Sequence, residues 1–192
     1  MKIAVLIPVY NAERYLRECL DSILAQRGAE ISIFCCNDGS TDGSEAILRE
    51  YANRYPNVAF VSQPNAGVVA TRNRLLDGLS AEFDAFAFVD ADDYIAPNMY
   101  ARLAKAMEES GADVAECGAG ADLTIDDMSV FVLRKTAPGG WINVINKLYR
   151  RSSVGEFRFR KGLSFEEDFF YNYEINAAIK RKVLVADNFY TY

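Results

Sequence analysis

Apolar runs separated by polar, turn-forming clusters divide the first 117 residues into alternating elements. Ile3–Ile7 is continuously apolar, with the length of a strand buried on both faces. Asn11 is an N-cap residue type, and Tyr15, Leu16, Cys19, Leu20, Ile23 and Leu24 then recur with helical period. Ile31–Cys36 predicts a second strand. Asp42-Gly-Ser-Glu45 has the spacing of a capping box that opens a helix to about Asn53. Val58–Val61 predicts a third strand, Gly67–Leu79 a third helix and Phe83–Val89 a fourth strand. Pro97 suits a first helical turn, Leu103 and Met107 form an apolar stripe, and Gly111 stops that helix. Asp113–Cys117 predicts a fifth, short strand.

Alternation with short links predicts an α/β fold: a Rossmann-like, mostly parallel sheet with helices on both faces. The pattern changes after Gly118. Gly118–Asp127 is small and acidic and reads as a loop, Met128–Leu133 as a strand, and Pro138-Gly139-Gly140 as a turn. Trp141–Tyr149 is short and amphipathic. A helix is expected over Glu166–Ile179 and a strand at Val183–Val185. Residues 1–117 thus form an α/β half, and 118–192 a smaller α+β segment of the same domain.

Composition narrows the chemistry. The 192 residues carry a net charge of −6, which argues against nucleic acid as the main partner. The chain has no histidine, so Ser-His-Asp and Cys-His catalysis and histidine metal sites are excluded. Acid–base work falls mainly to carboxylates, Lys, Tyr or Cys. Cys19, Cys35, Cys36 and Cys117 form no C-x-x-C pair and lie mostly in apolar runs, so they read as buried free thiols in a reducing, cytosolic setting. Met1 leads straight into a strand, with no signal peptide and no apolar stretch of membrane-spanning length.

In an open parallel sheet, ligands bind beyond the carboxyl ends of the strands. The first strand ends in Pro8-Val9-Tyr10-Asn11 and the second in Asn37-Asp38-Gly39-Ser40. The third ends in Gln63-Pro64-Asn65, with Arg72 and Asn73 in the helix that follows. The fourth ends in Asp90-Ala91-Asp92-Asp93. Two carboxylates about 5 Å apart repel by about 3 kcal/mol at an effective dielectric of about 20. The acidic triplet is therefore either a splayed, solvated loop or a site for Mg²⁺ or Mn²⁺. The chain lacks G-x-G-x-x-G and G-x-x-x-x-G-K-[ST], so a metal on carboxylates is the available means of neutralising a diphosphate.

Several residues carry two readings. Asp38 is a turn residue before Gly39 or an acceptor for the N3–H of uracil; Tyr10 is a rim aromatic or a stacking surface for that base. Glu167 and Asp168 complement a helix dipole or supply a general base, and spacing does not choose between them. Trp141, the only tryptophan, is core or a platform for a sugar ring. Lys147, Arg150, Arg151, Arg158, Arg160 and Lys161 are a solvated face, or they meet acidic acceptors, the diphosphate or an anionic membrane surface.

The blocks "IAVLIPVYNAERYLRECLDSILAQ", "CNDGSTDGS", "QPNAGVVATRN" and "FVDADDYIAP", in that order, resemble family 2 glycosyltransferases of the GT-A fold. The later "NKLYRR", "RFRKGLSFEEDFFYNYEI" and "NFYTY" resemble bacterial members that build capsular, exopolysaccharide or cell-wall glycans. The resemblance implies inverting transfer of a sugar from a nucleotide diphosphate sugar, mostly a UDP-sugar, to a glycan or lipid-linked acceptor. It implies nucleotide-sugar contacts for Pro8, Val9, Tyr10, Asp38, Asn65, Gly67, Arg72, Asp90 and Ala91. Asp92 and Asp93 are the implied ligands of Mn²⁺ or Mg²⁺. Asp168 matches the presumed catalytic base, preceded by Glu167, and Trp141 is an acceptor-side candidate. Residues 1–117 become the nucleotide-sugar-binding half and 118–192 the acceptor side, in a cytoplasmic protein or one peripheral to the inner face of the membrane. Asn37 stands where the family often has Asp, and relatives usually continue past Tyr192. The competing readings are a non-catalytic nucleotide-sugar-binding subunit and a sugar nucleotidyltransferase. The second would want a glycine-rich basic loop where Pro8-Val9-Tyr10-Asn11 stands.

Overall fold

The computed structural model describes residues 1–120, 122–126, 143–162 and 167–191. β1 (Lys2–Val9), β2 (Glu30–Asn37), β3 (Val58–Ser62) and β4 (Ala85–Phe88) lie parallel. β5 (Tyr94–Ile95) pairs antiparallel with β10 (Tyr190–Thr191) in a separate ribbon. β6 (Val114–Cys117), β7 (Leu123–Ile125), β8 (Lys147–Arg150) and β9 (Lys182–Val185) complete a main sheet of order β3-β2-β1-β4-β8-β6-β9-β7. The helices are α1 (Leu16–Leu24), α2 (Ser44–Arg54), α3 (Val68–Asp77), α4 (Met99–Ser110), α5 (Arg151–Val154) and α6 (Glu167–Ala178).

Alternation along β1 divides the core. Ile3, Val5 and Ile7 pack with Leu16 and Leu20 of α1, Leu48 of α2, and Leu103 and Met107 of α4. Ala4 and Leu6 face the other way, toward Leu75 and Leu76 of α3, Val154 of α5 and Ile175 of α6. Each fully buried aliphatic side chain contributes about 1.5–3 kcal/mol, so a strand covered on both sides needs no polar face. This is the mostly parallel sheet with helices on both faces that the pattern predicts, with β7 and β8 added antiparallel. The four cysteines are buried free thiols; burial pushes those of Cys36 and Cys117 up to about 11. Among the described residues no helix is long and apolar enough to cross a membrane.

Several local expectations are corrected. Asn11 does not cap α1, which starts at Leu16 after Tyr15 without a side-chain cap. Asn11 instead takes a φ of 49° and its Oδ1 accepts the Thr41 N–H at 2.8 Å. The capping box also fails to form: Asp42 accepts the N–H groups of Glu13 and Ser44, and Glu45 reaches Asn37 and Arg49. These groups lace the loop after β1 to the loop after β2, since Asn11 N–H and Ala12 N–H donate to the hydroxyls of Ser40 and Ser44. Asp42 thus keeps one local contact, the Ser44 N–H, and shares its other oxygen with a non-local partner, while Glu45 turns away from the box. Within the supposed loop Gly118–Asp127, Leu123–Ile125 forms β7, because β9 offers it an edge.

The stretch predicted as amphipathic, Trp141–Tyr149, supplies β8, which slots antiparallel between β4 and β6. Tyr149 there stacks on Phe86 at 5.2 Å between ring centroids. Lys147 is buried rather than part of a solvated face: its Nζ lies 3.5 Å from Glu116 on β6, which Lys182 of β9 also approaches. Of the other cations in that stretch, Arg150 donates to the carbonyls of Met107 and Ala112, and Arg158 and Arg160 pair with Asp77 and Glu174. Met128–Leu133, the 138–140 turn, Trp141 and Glu166 lie outside the described residues.

Candidate functional site

The carboxyl ends of β1, β2, β3 and β4 open on one cavity of about 550 Å³. Each strand feeds it through the segment that follows. Pro8, Val9 and Tyr10 come from the end of β1, Asp38 from β2, Asn65 and Gly67 from the approach to α3, and Asp90, Ala91 and Asp92 from β4. Arg72, one turn into α3, closes the floor. All nine residues expected to contact a nucleotide sugar therefore line a single space, although the chain passes through three crossovers between Pro8 and Ala91. Tyr10 is 53% exposed at the rim, an apolar ring left open to a planar ligand.

Asp38 is held more tightly than either sequence reading foresees. Its Oδ1 accepts the Gln63 side-chain amide at 2.7 Å and the Ala66 N–H at 2.9 Å, and its Oδ2 accepts the Gly67 N–H at 2.9 Å. An ionised carboxylate offers about four acceptor positions, so these three donors leave one open. Gly39 follows with φ 71°, and a Cβ there would stand 2.7 Å from the Asn65 nitrogen; only glycine lets the two loops approach. Asn37, the last residue of β2, is buried, its Oδ1 accepting the Ser40 N–H and its amide donating to Glu45 and Ser62.

Arg72 organises the charge. It is 4% exposed, and its guanidinium donates to Asp90 at 3.0 Å and Asp168 at 2.5 Å, with Glu167 at 3.6 Å. Its far face lies over the Phe159 ring, which stacks on Tyr171 at 4.0 Å. Asn73 fixes that ring's backbone, donating to the Phe159 carbonyl and accepting its N–H. Asp168, at the start of α6, also accepts the Val144 N–H at 3.2 Å. Burial pushes the Asp168 carboxyl above the ordinary 3.8, against the lowering pull of Arg72 and the Val144 N–H; the nearby charges of Asp90 and Glu167 add to the rise. One buried cation thus joins the cavity floor to a carboxylate of increased basicity.

The three aspartates after β4 separate into different roles. Asp90 is engaged by Arg72 through one oxygen, and Asp92 is exposed on the cavity wall. Asp93, expected as a second metal ligand, is 7% exposed, does not line the cavity, and accepts the Tyr190 hydroxyl at 2.7 Å. Among the described residues no three carboxylates or thiols are grouped to hold a metal by themselves. Mg²⁺-type ions usually take one or two carboxylates plus ligand phosphates, and Asp92 with the second oxygen of Asp90 fits that donor set. Gln63, Thr71, Phe159 and Tyr190 were not singled out by sequence reasoning. All four lie inside the blocks that carry the resemblance, Gln63 and Thr71 in "QPNAGVVATRN", Phe159 in "RFRKGLSFEEDFFYNYEI" and Tyr190 in "NFYTY", but nothing local marks what each one touches.

Residues 4–184 match the family model described as glycosyl transferase family 2. The chain is 42% identical over 118 residues to the glycosyltransferase YibD of Escherichia coli, which covers 62% of this chain and 34% of that protein. It is 36% identical over 118 residues to the poly(ribitol-phosphate) beta-glucosyltransferase of Bacillus spizizenii, covering 59% of this chain and 18% of the relative. The chain thus spans about a third or less of those relatives' length. A crystal structure of S. aureus TarS in complex with UDP superposes with a TM-score of 0.82 at 25% identity, over 99% of this chain and 60% of that one.

Proposed function

Because the chain belongs to glycosyl transferase family 2, we propose that it carries the catalytic half-site of an inverting transferase, moving a sugar from a UDP-sugar to a hydroxyl of a glycan or lipid-linked acceptor. The observation that carries this reading is the Arg72 bridge, which holds Asp90 and Asp168 on one guanidinium beside the cavity. The UDP complex of TarS supports uridine as the base. Tyr10 stacks on the uracil, and the open acceptor position of Asp38 takes its N3–H. Asp92 and Asp90 would hold a divalent cation, which supplies positive charge to the donor's diphosphate when bound. Arg72 adds fixed charge on the same side.

Asp168 takes the proton of the acceptor hydroxyl. The oxygen forms a bond to the anomeric carbon as the bond from that carbon to the diphosphate breaks on the opposite face, and UDP leaves with the electron pair. Asp168→Asn keeps a group of the same shape beside Arg72 but cannot accept that proton. We expect transfer to fall by about 10²–10⁴ while UDP affinity stays within a few-fold, measured by product assay and titration calorimetry on the same preparation. Equal loss of both would assign Asp168 to donor binding. A wild-type chain that binds UDP-sugars without turnover would favour the non-catalytic subunit.

A further inference from the structure

We propose that Tyr190 is a positioning residue for the acidic turn after β4, and that Asp93 serves this tie rather than a cation. The proposal rests on the UDP-sugar reading above. Asp90 to Asp93 form a turn closed by the Asp93 N–H on the Asp90 carbonyl at 3.1 Å. The Tyr190 hydroxyl accepts the Asp90 N–H at 3.2 Å and donates to Asp93 Oδ2 at 2.7 Å. One oxygen therefore grips the first peptide and the last side chain of the turn at once. Only a group that both accepts and donates can do this.

The phenol is delivered from 100 residues away by a dedicated ribbon. Tyr190 sits opposite Ile95 and Thr191 opposite Tyr94, and the Ala96 N–H donates to the Phe189 carbonyl at 2.8 Å. On the turn's other side, the Cys19 thiol approaches the Asp90 carbonyl at 3.5 Å. With its ends fixed and Asp93 turned to Tyr190, the turn presents Asp90 and Asp92 to the cavity. A packing tyrosine needs no such double contact; Tyr190 is 3% exposed, and its hydroxyl is engaged on both sides.

Tyr190→Phe keeps the ring and deletes both bonds. We expect its UDP affinity in Mn²⁺ to fall about tenfold while uridine, which lacks the diphosphate, binds within twofold of wild type. Asp93→Asn keeps an oxygen for the hydroxyl and is expected within about threefold of wild type for UDP in Mn²⁺; Asp93→Ala is expected to match Tyr190→Phe, and the double variant to lose no more than either. Asp92→Asn is the contrasting loss of a cation ligand. Hydrogen exchange at the Asp90 amide reads the tie without nucleotide and is expected to quicken at least tenfold in Tyr190→Phe. Should Tyr190→Phe not fold, the two Asp93 variants decide alone. A wild type that binds UDP beside a Tyr190→Phe that binds it equally well overturns the inference only, as does an Asp93→Asn as impaired as Asp92→Asn. A wild type that ignores UDP overturns the nucleotide reading and the inference with it.

Discussion

Asp38 shows how one carboxylate can set the shape of a site before any ligand arrives. Its donors come from Gln63, Ala66 and Gly67, so it anchors the whole approach to α3 beneath β2. Asp38→Asn replaces one acceptor oxygen with an NH₂ that faces other N–H groups. We expect a loss of about 1–3 kcal/mol in stability by denaturant titration, from donors left unsatisfied in a buried place. UDP affinity should fall by at least tenfold in the same samples, because Gly67 and Asn65 lose their seat. The sequence made Asp38 conspicuous through its place at a strand end. It could not show what Asp38 holds, because those donors lie 25 or more residues on and meet it only through the parallel register of β2 and β3. Asp168 was legible as one of two carboxylates, but its partnership with Arg72 spans 96 residues and no local pattern encodes it.

Among the elements, β1, β2, β4 and the helices around them were readable because continuous apolar runs and helical period agree with burial there, whereas in the edge strand β3 only Val58 is buried and the apolar run alone marked it. β8 was not. Its sequence, Lys-Leu-Tyr-Arg, counts two cations in four residues, and hydropathy scores Lys147 as surface. In the fold, Lys147 and Lys182 flank Glu116, all three almost without exposure. Burial is the main influence lowering the Lys147 ammonium to about 8; Glu116 opposes it and Lys182 assists. Buried charge is tolerated only with a partner, and removing one partner costs about 3–5 kcal/mol. Glu116→Gln takes away the carboxylate both lysines approach and should lose stability in that range. Lys147→Met leaves the Glu116–Lys182 pair and should cost clearly less; thermal unfolding of the two variants makes the comparison.

For the whole molecule, acid should silence turnover before it unfolds the chain. Two carboxylates set the order. Asp168 is raised by burial, so as pH falls it regains its proton above the ordinary 3.8, and the proposed base is lost there. In Asp113 burial also pushes upward, but the Ser153 hydroxyl and the N–H groups of Lys180 and Arg181 outweigh it and hold the group below 3.8. A depressed acid contributes stability that is present above its unfolded value and lost as pH falls through its folded one. Transfer rate and melting temperature followed down the same pH series should therefore decline in that order, and Asp113→Asn should flatten the second decline alone. Coincident declines would mean that unfolding, not Asp168, limits acid activity.

The antiparallel placement of β8 has a consequence for birth on the ribosome. Synthesis runs from the amino end, so β4 and β6 are both made before the strand that separates them. Until residue 150 clears the exit tunnel, each shows a row of unanswered backbone groups, the kind of rim along which nascent chains stick to one another. The gap between β4 and β6 closes only when Lys147–Arg150 slides home, and the far edge of β6 stays open until β9 is made.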